Sequence, residues 1–241
     1  MPNSSSLQFK PSLISTLLVI VFVLVSLSLA YWQNTRIAEK KANLELFNTM
    51  MKTEALNLNS LSSKEIENLA GKSWQKVTVS GDFLEEYQFL LDSQVYKGKP
   101  GYNAIVPVKI HNSELVILVN RGWIAAGADR NKIPEIPALT EQQPLQGQLA
   151  HPKLAMAGFE QQSVNEKVQL FINMAALSDR IAAPLAPMLL QLDERALGPL
   201  PREWPAYQAK VAMHEFYVMH WLVVALFSIL LYLYFAFKTK H

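Results

Sequence analysis

Two long apolar runs, one toward each end of the 241-residue sequence, constrain this chain more than any other feature. No residue from Pro11 to Thr35 is charged, and its apolar part, Leu13 to Tyr31, is nineteen residues long. At about 1.5 Å per residue that length crosses a hydrocarbon core of roughly 30 Å. Tyr31 and Trp32 stand at its end, where aromatic side chains gather at a membrane interface. The second run, Phe216 to Phe237, is also uncharged and is followed by Lys238 and Lys240. Ser28-Leu29-Ala30 has the small-residue spacing of a signal-peptide cleavage site, but the run is long for an h-region, so an uncleaved anchor is expected.

The expected organisation is a tail (1–12), a first transmembrane helix (13–32), an extracytoplasmic domain (33–212), a second transmembrane helix (213–237) and a tail (238–241). Two spans put both termini on one side and the domain on the other. Lys10 precedes the first span while Arg36, Lys40 and Lys41 follow it, so charge bias alone does not set the orientation. The 22 basic and 20 acidic residues are mixed along the chain without a run of one sign, which gives no argument for nucleic acid. The absence of cysteine excludes disulfides, thiolate metal sites, thiol catalysis and covalent c-type haem.

Between the spans, Gln33 to Leu58 has apolar residues at helical spacing, with Ile37, Leu44 and Phe47 as buried positions, and is expected to continue the first helix. Ser62-x-x-Glu65 is a capping-box spacing that opens a short helix for Gly71 to stop. Strands follow at Lys76–Phe83, Gln88–Gln94, Gly101–Ile110 and Glu114–Ile124, the last two joined by a hairpin turn at His111-Asn112-Ser113. Pro134, Pro137 and Pro144 mark an irregular connection. Strands resume at Pro144–Ala150, Lys167–Met174 and Met188–Glu194, with a helix capped by Asn173, and Gly198–Tyr207 is extended or turned by its prolines. The expected fold class is membrane α+β, with two transmembrane helices flanking a strand-dominated, barrel-like domain.

No H-E-x-x-H, nucleophile elbow, phosphate loop or dinucleotide fingerprint occurs, and an enzyme is not expected. Two features stand out. In LVNRGWI, a strand ends in Asn120, Arg121, Gly122 and Trp123: glycine permits a bulge or positive φ, Asn120 can bond nearby backbone, and Arg121 can pair with a carboxylate or anion. The plainer alternative is structural, with Trp123 capping the core and Arg121 holding a loop. At the second span, His214 shares a helix face with Tyr217, Val218 and Trp221, a plausible seat for an axial ligand to a planar macrocycle. His220 faces about 120° away and about 9 Å along the axis, so one helix cannot aim both histidines at one metal. A histidine this deep in a span is ordinarily functional or paired. A two-histidine haem site would need its second histidine from another copy of the chain, as a homo-oligomer, or from a partner protein.

These residues resemble the Surfeit locus protein 1 family: V-x-G-x-F at Val79–Phe83, PGYNAIVPV at Pro100–Val108, VNRGW at Val119–Trp123, and His-x-x-Tyr-x-x-x-Trp at His214, Tyr217 and Trp221. The chain departs from the family pattern at Met213, Val106-Pro107-Val108 and Glu215. The resemblance implies an assembly factor for haem-copper cytochrome c oxidase that delivers or inserts haem a into subunit I, with haem a synthase as a further partner. It implies a bacterial cytoplasmic membrane, or a mitochondrial inner membrane, with the domain periplasmic and the termini cytoplasmic. It marks His214 as the haem-iron ligand. With that ligand, the helix-face reading sets Tyr217 and Trp221 against the ring and His220 as the second candidate, and Arg121 is expected to neutralise a haem propionate, contact a partner or stabilise the domain. A membrane-anchored scaffold that binds oxidase subunits or other envelope proteins without haem is the alternative.

Overall fold

The computed structural model describes residues 7–129, 132–140, 143–154, 167–194 and 198–239; Lys240 and His241 lie outside these. The helices are α1 (Leu13–Lys52), α2 (Ser63–Glu67), α3 (Met174–Ile181) and α4 (Ala212–Ala236). The strands are β1 (Leu7–Phe9), β2 (Leu56–Asn57), β3 (Lys76–Val79), β4 (Gly81–Phe83), β5 (Phe89–Tyr96) and β6 (Lys99–Ile110). They continue with β7 (Val116–Ala125), β8 (Leu145–Ala150), β9 (Val168–Gln169), β10 (Leu185–Leu192) and β11 (Phe237–Thr239). The chain forms two compact units: Phe47–Ala206, and the segments on either side of it.

In the helical unit, α1 and α4 are both long and apolar enough to cross a membrane. Neither contains glycine or proline, so nothing in the sequence interrupts the hydrogen-bond ladder. The buried residues of α1, Ser26, Ala30, Gln33 and Ile37, recur at spacings of four, three and four and form one stripe. Small residues on that stripe, with Ala225 buried on α4, let two backbones approach. Ser26 returns its hydroxyl proton to the Phe22 carbonyl at 2.8 Å, which satisfies it inside the seam. The helices are antiparallel: the Thr16 and Tyr232 hydroxyls meet at 2.7 Å, and β1 pairs antiparallel with β11.

In the strand unit, one sheet runs β2-β3-β8-β10-β7-β6-β5-β9, with β4 also on β6. Among the described residues the pairing leaves β2 and β9 as the ends of the sheet, with no ladder between them. The long β6–β7 hairpin is its spine, turned at Asn112 with a left-handed φ of 64°. β10 runs parallel to β7 and antiparallel to β8, and links the two halves of the sheet. Ile117 and Val119 join one core cluster with Leu58, Ile66 and Leu190, while Leu118 joins another with Phe89, Leu177 and Leu189. Both faces of β7 are therefore covered, which explains why its sequence is a continuous apolar run and not an alternation.

The structure shifts several expected boundaries. The first helix stops at Lys52, not Leu58, because Leu58 is fully buried in the sheet core and Leu56 pairs with Val77. Ile37 is buried as expected, whereas Leu44 and Phe47 are half-buried, Phe47 edge-on to Trp74. The Ser62/Glu65 capping box forms, but α2 ends at Glu67 with Asn68 as its cap, ahead of Gly71. Its Ser62 hydroxyl and backbone N–H hold the Glu65 carboxyl below the usual range. The strand expected over Lys76–Phe83 breaks at Ser80, whose N–H and C=O are both taken by the Asn59 side-chain amide at 2.7 and 2.8 Å. β3 then pairs with β8, and β4 with β6. Among the described residues, Lys167–Met174 pairs at Val168–Gln169 and by an isolated bridge at Ile172. β10 begins at Leu185, earlier than Met188, with a register irregularity around Pro187. Asn173 caps α3 through Ala176 N–H at 3.0 Å, as expected.

Candidate functional site

The Asn-Arg-Gly-Trp segment sits at a bulge in β7. Ala104 pairs with Gly122 and Ile105 with Asn120, so Arg121 is the extra residue. The Asn120 side-chain oxygen accepts the Gly122 N–H at 3.1 Å, and Gly122 adopts φ 130°. No side chain could replace the glycine without displacement: a Cβ there would lie 2.7 Å from both Leu200 Cβ and the Pro201 carbonyl oxygen.

Arg121 is fully buried, and its guanidinium donates to the Pro137 carbonyl at 2.8 Å and the Ala138 carbonyl at 3.0 Å. Of the two roles expected of it, contact with a propionate or partner and fastening of a loop, this geometry serves the second. It holds the proline-rich connection between β7 and β8 through two of that connection's carbonyls.

The bulge also binds the segment that precedes α4. Arg202, itself buried, donates Nε–H to the Arg121 carbonyl at 2.6 Å, and Trp123 N–H donates to the Pro201 carbonyl at 2.9 Å. Trp204 donates its indole N–H to Leu192 O at 2.7 Å. Glu203 accepts from the Tyr96 hydroxyl and from Lys97, both at 2.7 Å, at the β5–β6 turn. The Lys97 ammonium and then Tyr96 hold the Glu203 carboxyl below its usual range, and Glu203 in turn raises Lys97. Trp123 lies against Tyr96 at 5.3 Å and over Gly101; its indole N–H is buried and has no hydrogen-bond partner among the described residues. Residues 200–204 thus form a strap across the end of β7, and the conspicuous motif is its seat.

At the opening of α4, His214 is half-buried and its Nδ1 lies 2.7 Å from Gln33 Oε1 on α1. Gln33 is only 8% exposed. An amide oxygen only accepts, so the neutral ring that makes this bond has its proton on Nδ1 and its lone pair on Nε2. Tyr217 and Trp221, on the same helix face, make their ring contacts with residues other than His214. Tyr217 meets Phe216 edge-on at 5.8 Å, and Trp221 meets His220 edge-on at 5.5 Å. His220 is exposed and stacked on Phe216 at 6.3 Å, so it does not converge with His214. Its ring neighbours, Phe216 and Trp221, are on its own helix. Gln33 is the residue the sequence reading missed. Its signal was a polar amide on the four-three-four stripe that begins at Ser26.

An α+β membrane protein with two apolar helices flanking a mixed sheet, and with a strap seated on an Asn-Arg-Gly-Trp bulge, is the class these features define. The family model of the SURF1 family matches residues 20–226, and the chain belongs to that family. It is 31% identical to a SURF1-like protein of Rickettsia felis over 131 residues, 54% of this chain and 53% of that one. It is 24% identical to a SURF1-like protein of Rickettsia prowazekii over 226 residues, 91% of this chain and 88% of the relative. A SURF1-like protein of Caenorhabditis elegans is 26% identical over 129 residues, 45% of this chain and 39% of that one. The chain spans about half the length of the first curated relatives it matches.

Proposed function

We propose that this protein serves the assembly of haem-copper cytochrome c oxidase by holding haem a as cargo and presenting it to subunit I, without catalytic turnover. The observation that carries this reading is His214, anchored through Nδ1 by Gln33 with Nε2 left to bind. Such a donor suits an iron porphyrin better than a bare ion. Porphyrin iron asks the protein for one or two axial ligands, whereas no group of three or more His, Cys, Asp or Glu forms a metal cluster among the described residues. Tyr217, 41% exposed on the same helix, offers an aromatic flank to the macrocycle. When bound, haem a is the redox group that the oxidase itself will use; here it undergoes no chemistry.

Haem a synthase would supply the cargo. A second axial ligand would come from another copy of the chain or from the receiving subunit. Family membership and the two apolar helices support a bacterial cytoplasmic membrane location, with the strand unit periplasmic and the termini cytoplasmic. A reporter fused after α4 is expected to signal from the cytoplasm; a periplasmic signal would reverse this orientation.

Full-length protein from a host that makes haem a is expected to carry a Soret band that His214→Ala removes, with a matching fall in oxidase haem a content. Wild-type protein without that band, together with unchanged oxidase haem in the variant strain, sinks the carrier reading. If deletion of the protein still abolished the oxidase, a haem-free scaffold would take its place.

A further inference from the structure

Gln33 has no role in the carrier reading as drawn from α4 alone, and yet it is a buried amide in a helix that could have held an apolar residue there. A buried polar group is costly unless it is hydrogen-bonded. Its place on the stripe with Ser26, Ala30 and Ile37 aims it into the seam, where it meets His214 Nδ1 at 2.7 Å. We propose that Gln33 is the positioning residue of His214: it accepts the hydrogen bond of Nδ1–H, fixes the tautomer, and leaves Nε2 as the nitrogen for iron. This inference rests on the carrier reading above.

A neutral imidazole has one protonated and one lone-pair nitrogen, and the hydrogen bond made by the first decides which nitrogen can bind iron. A partner on the far nitrogen also raises the basicity of the ligating one, and loss of such a partner typically costs 10- to 100-fold in metal affinity. The geometry is not left to one flexible side chain. Gln33 and His214 sit on different helices whose register is fixed independently, toward the other end, by the Thr16–Tyr232 hydroxyl pair. The nearby Lys41–Glu215 pair, at 3.8 Å and exposed on both sides, is too loose to set the ring. The imidazole is thus oriented by α1, although the ligand belongs to α4.

The test uses full-length protein in detergent with isotope-labelled histidine, the His214 signal being identified by its loss in His214→Ala. Wild type is expected to show the Nδ1–H tautomer, and Gln33→Leu to shift toward Nε2–H. Ferrous haem a is then titrated in and the iron–histidine stretch recorded by resonance Raman. Gln33→Leu should lower that frequency and weaken uptake by about 10- to 100-fold. Gln33→Glu, with a carboxylate in the same place, should raise the frequency. Opposite shifts separate positioning from a loss of packing, which would move both variants the same way. Wild type that takes up haem a, with tautomer and frequency unchanged in both variants, overturns the role of Gln33 alone. Wild type that shows the Nδ1–H tautomer but takes up no haem a overturns the carrier reading, and the positioning role with it.

Discussion

At the bulge in β7, the residues of the Asn-Arg-Gly-Trp segment divide the work: Asn120 bonds the Gly122 amide, Gly122 clears space for the strap, Arg121 holds a loop by its side chain and the strap by its carbonyl, and Trp123 binds Pro201. Gly122→Ala would introduce a Cβ at φ 130° and 2.7 Å from backbone oxygen. It is expected to destabilise the protein by about 1–3 kcal/mol, measurable as a lower urea midpoint of the full chain. The tether at Glu203 makes a prediction in pH. Its carboxyl is held low by Lys97, so its contribution is present above the ordinary carboxylate range and is lost as pH falls through the lowered folded value. Lys97 is raised, so its contribution is complete below the ordinary lysine value and is lost only in strong alkali. Wild type should therefore exceed Glu203→Gln in urea midpoint at neutral pH, and the gap should shrink below about pH 4. The local chemistry of this segment was legible from sequence, because Asn120 and Gly122 are two residues apart. The partners of Arg121 were not, since they lie 16, 17 and 81 residues away along the chain.

Among the elements, the pairing of α1 with α4 depends on a stripe of small residues more than on overall hydrophobicity, because lipid tails are as apolar as leucine. Ala30→Phe places a large ring where the helix is 6% exposed, whereas Leu27→Phe places it on a face that is 44% exposed. The first is expected to cost about 1–3 kcal/mol by overpacking and the second almost nothing, as read from thermal unfolding in detergent. Hydropathy made both helices legible, and short-range capping rules identified the starts of α2 and α3. The break at Ser80 was not legible. A strand can be interrupted because one distant amide, Asn59, bonds both backbone groups of Ser80, and no local pattern announces that. The end of α1 was missed for a related reason: helical spacing continues past Lys52, but burial of Leu58 in the sheet outweighs it.

For the molecule as a whole, the sheet is packed on both faces, and neighbouring residues of one strand serve different cores. Leu118→Ala and Val119→Ala should therefore both destabilise the chain, by about 2–5 kcal/mol for the leucine and somewhat less for the valine. A sheet with one solvated face would be sensitive at only one of the two positions, and chemical denaturation of the two variants distinguishes the cases. The strand-dominated class was evident from composition and turn signals. The order of the strands was not, because β10 enters between β7 and β8, far from both in sequence. That insertion governs the sequence of events during synthesis. Among the described residues, β10 is the strand that joins β2, β3 and β8 to β5, β6 and β7, so the two groups share no ladder until Leu185–Leu192 has left the ribosome. The two half-sheets must wait with their inner edges open. The strap and the second apolar helix follow within the next few dozen residues, so the domain becomes whole only as its second helix is being made.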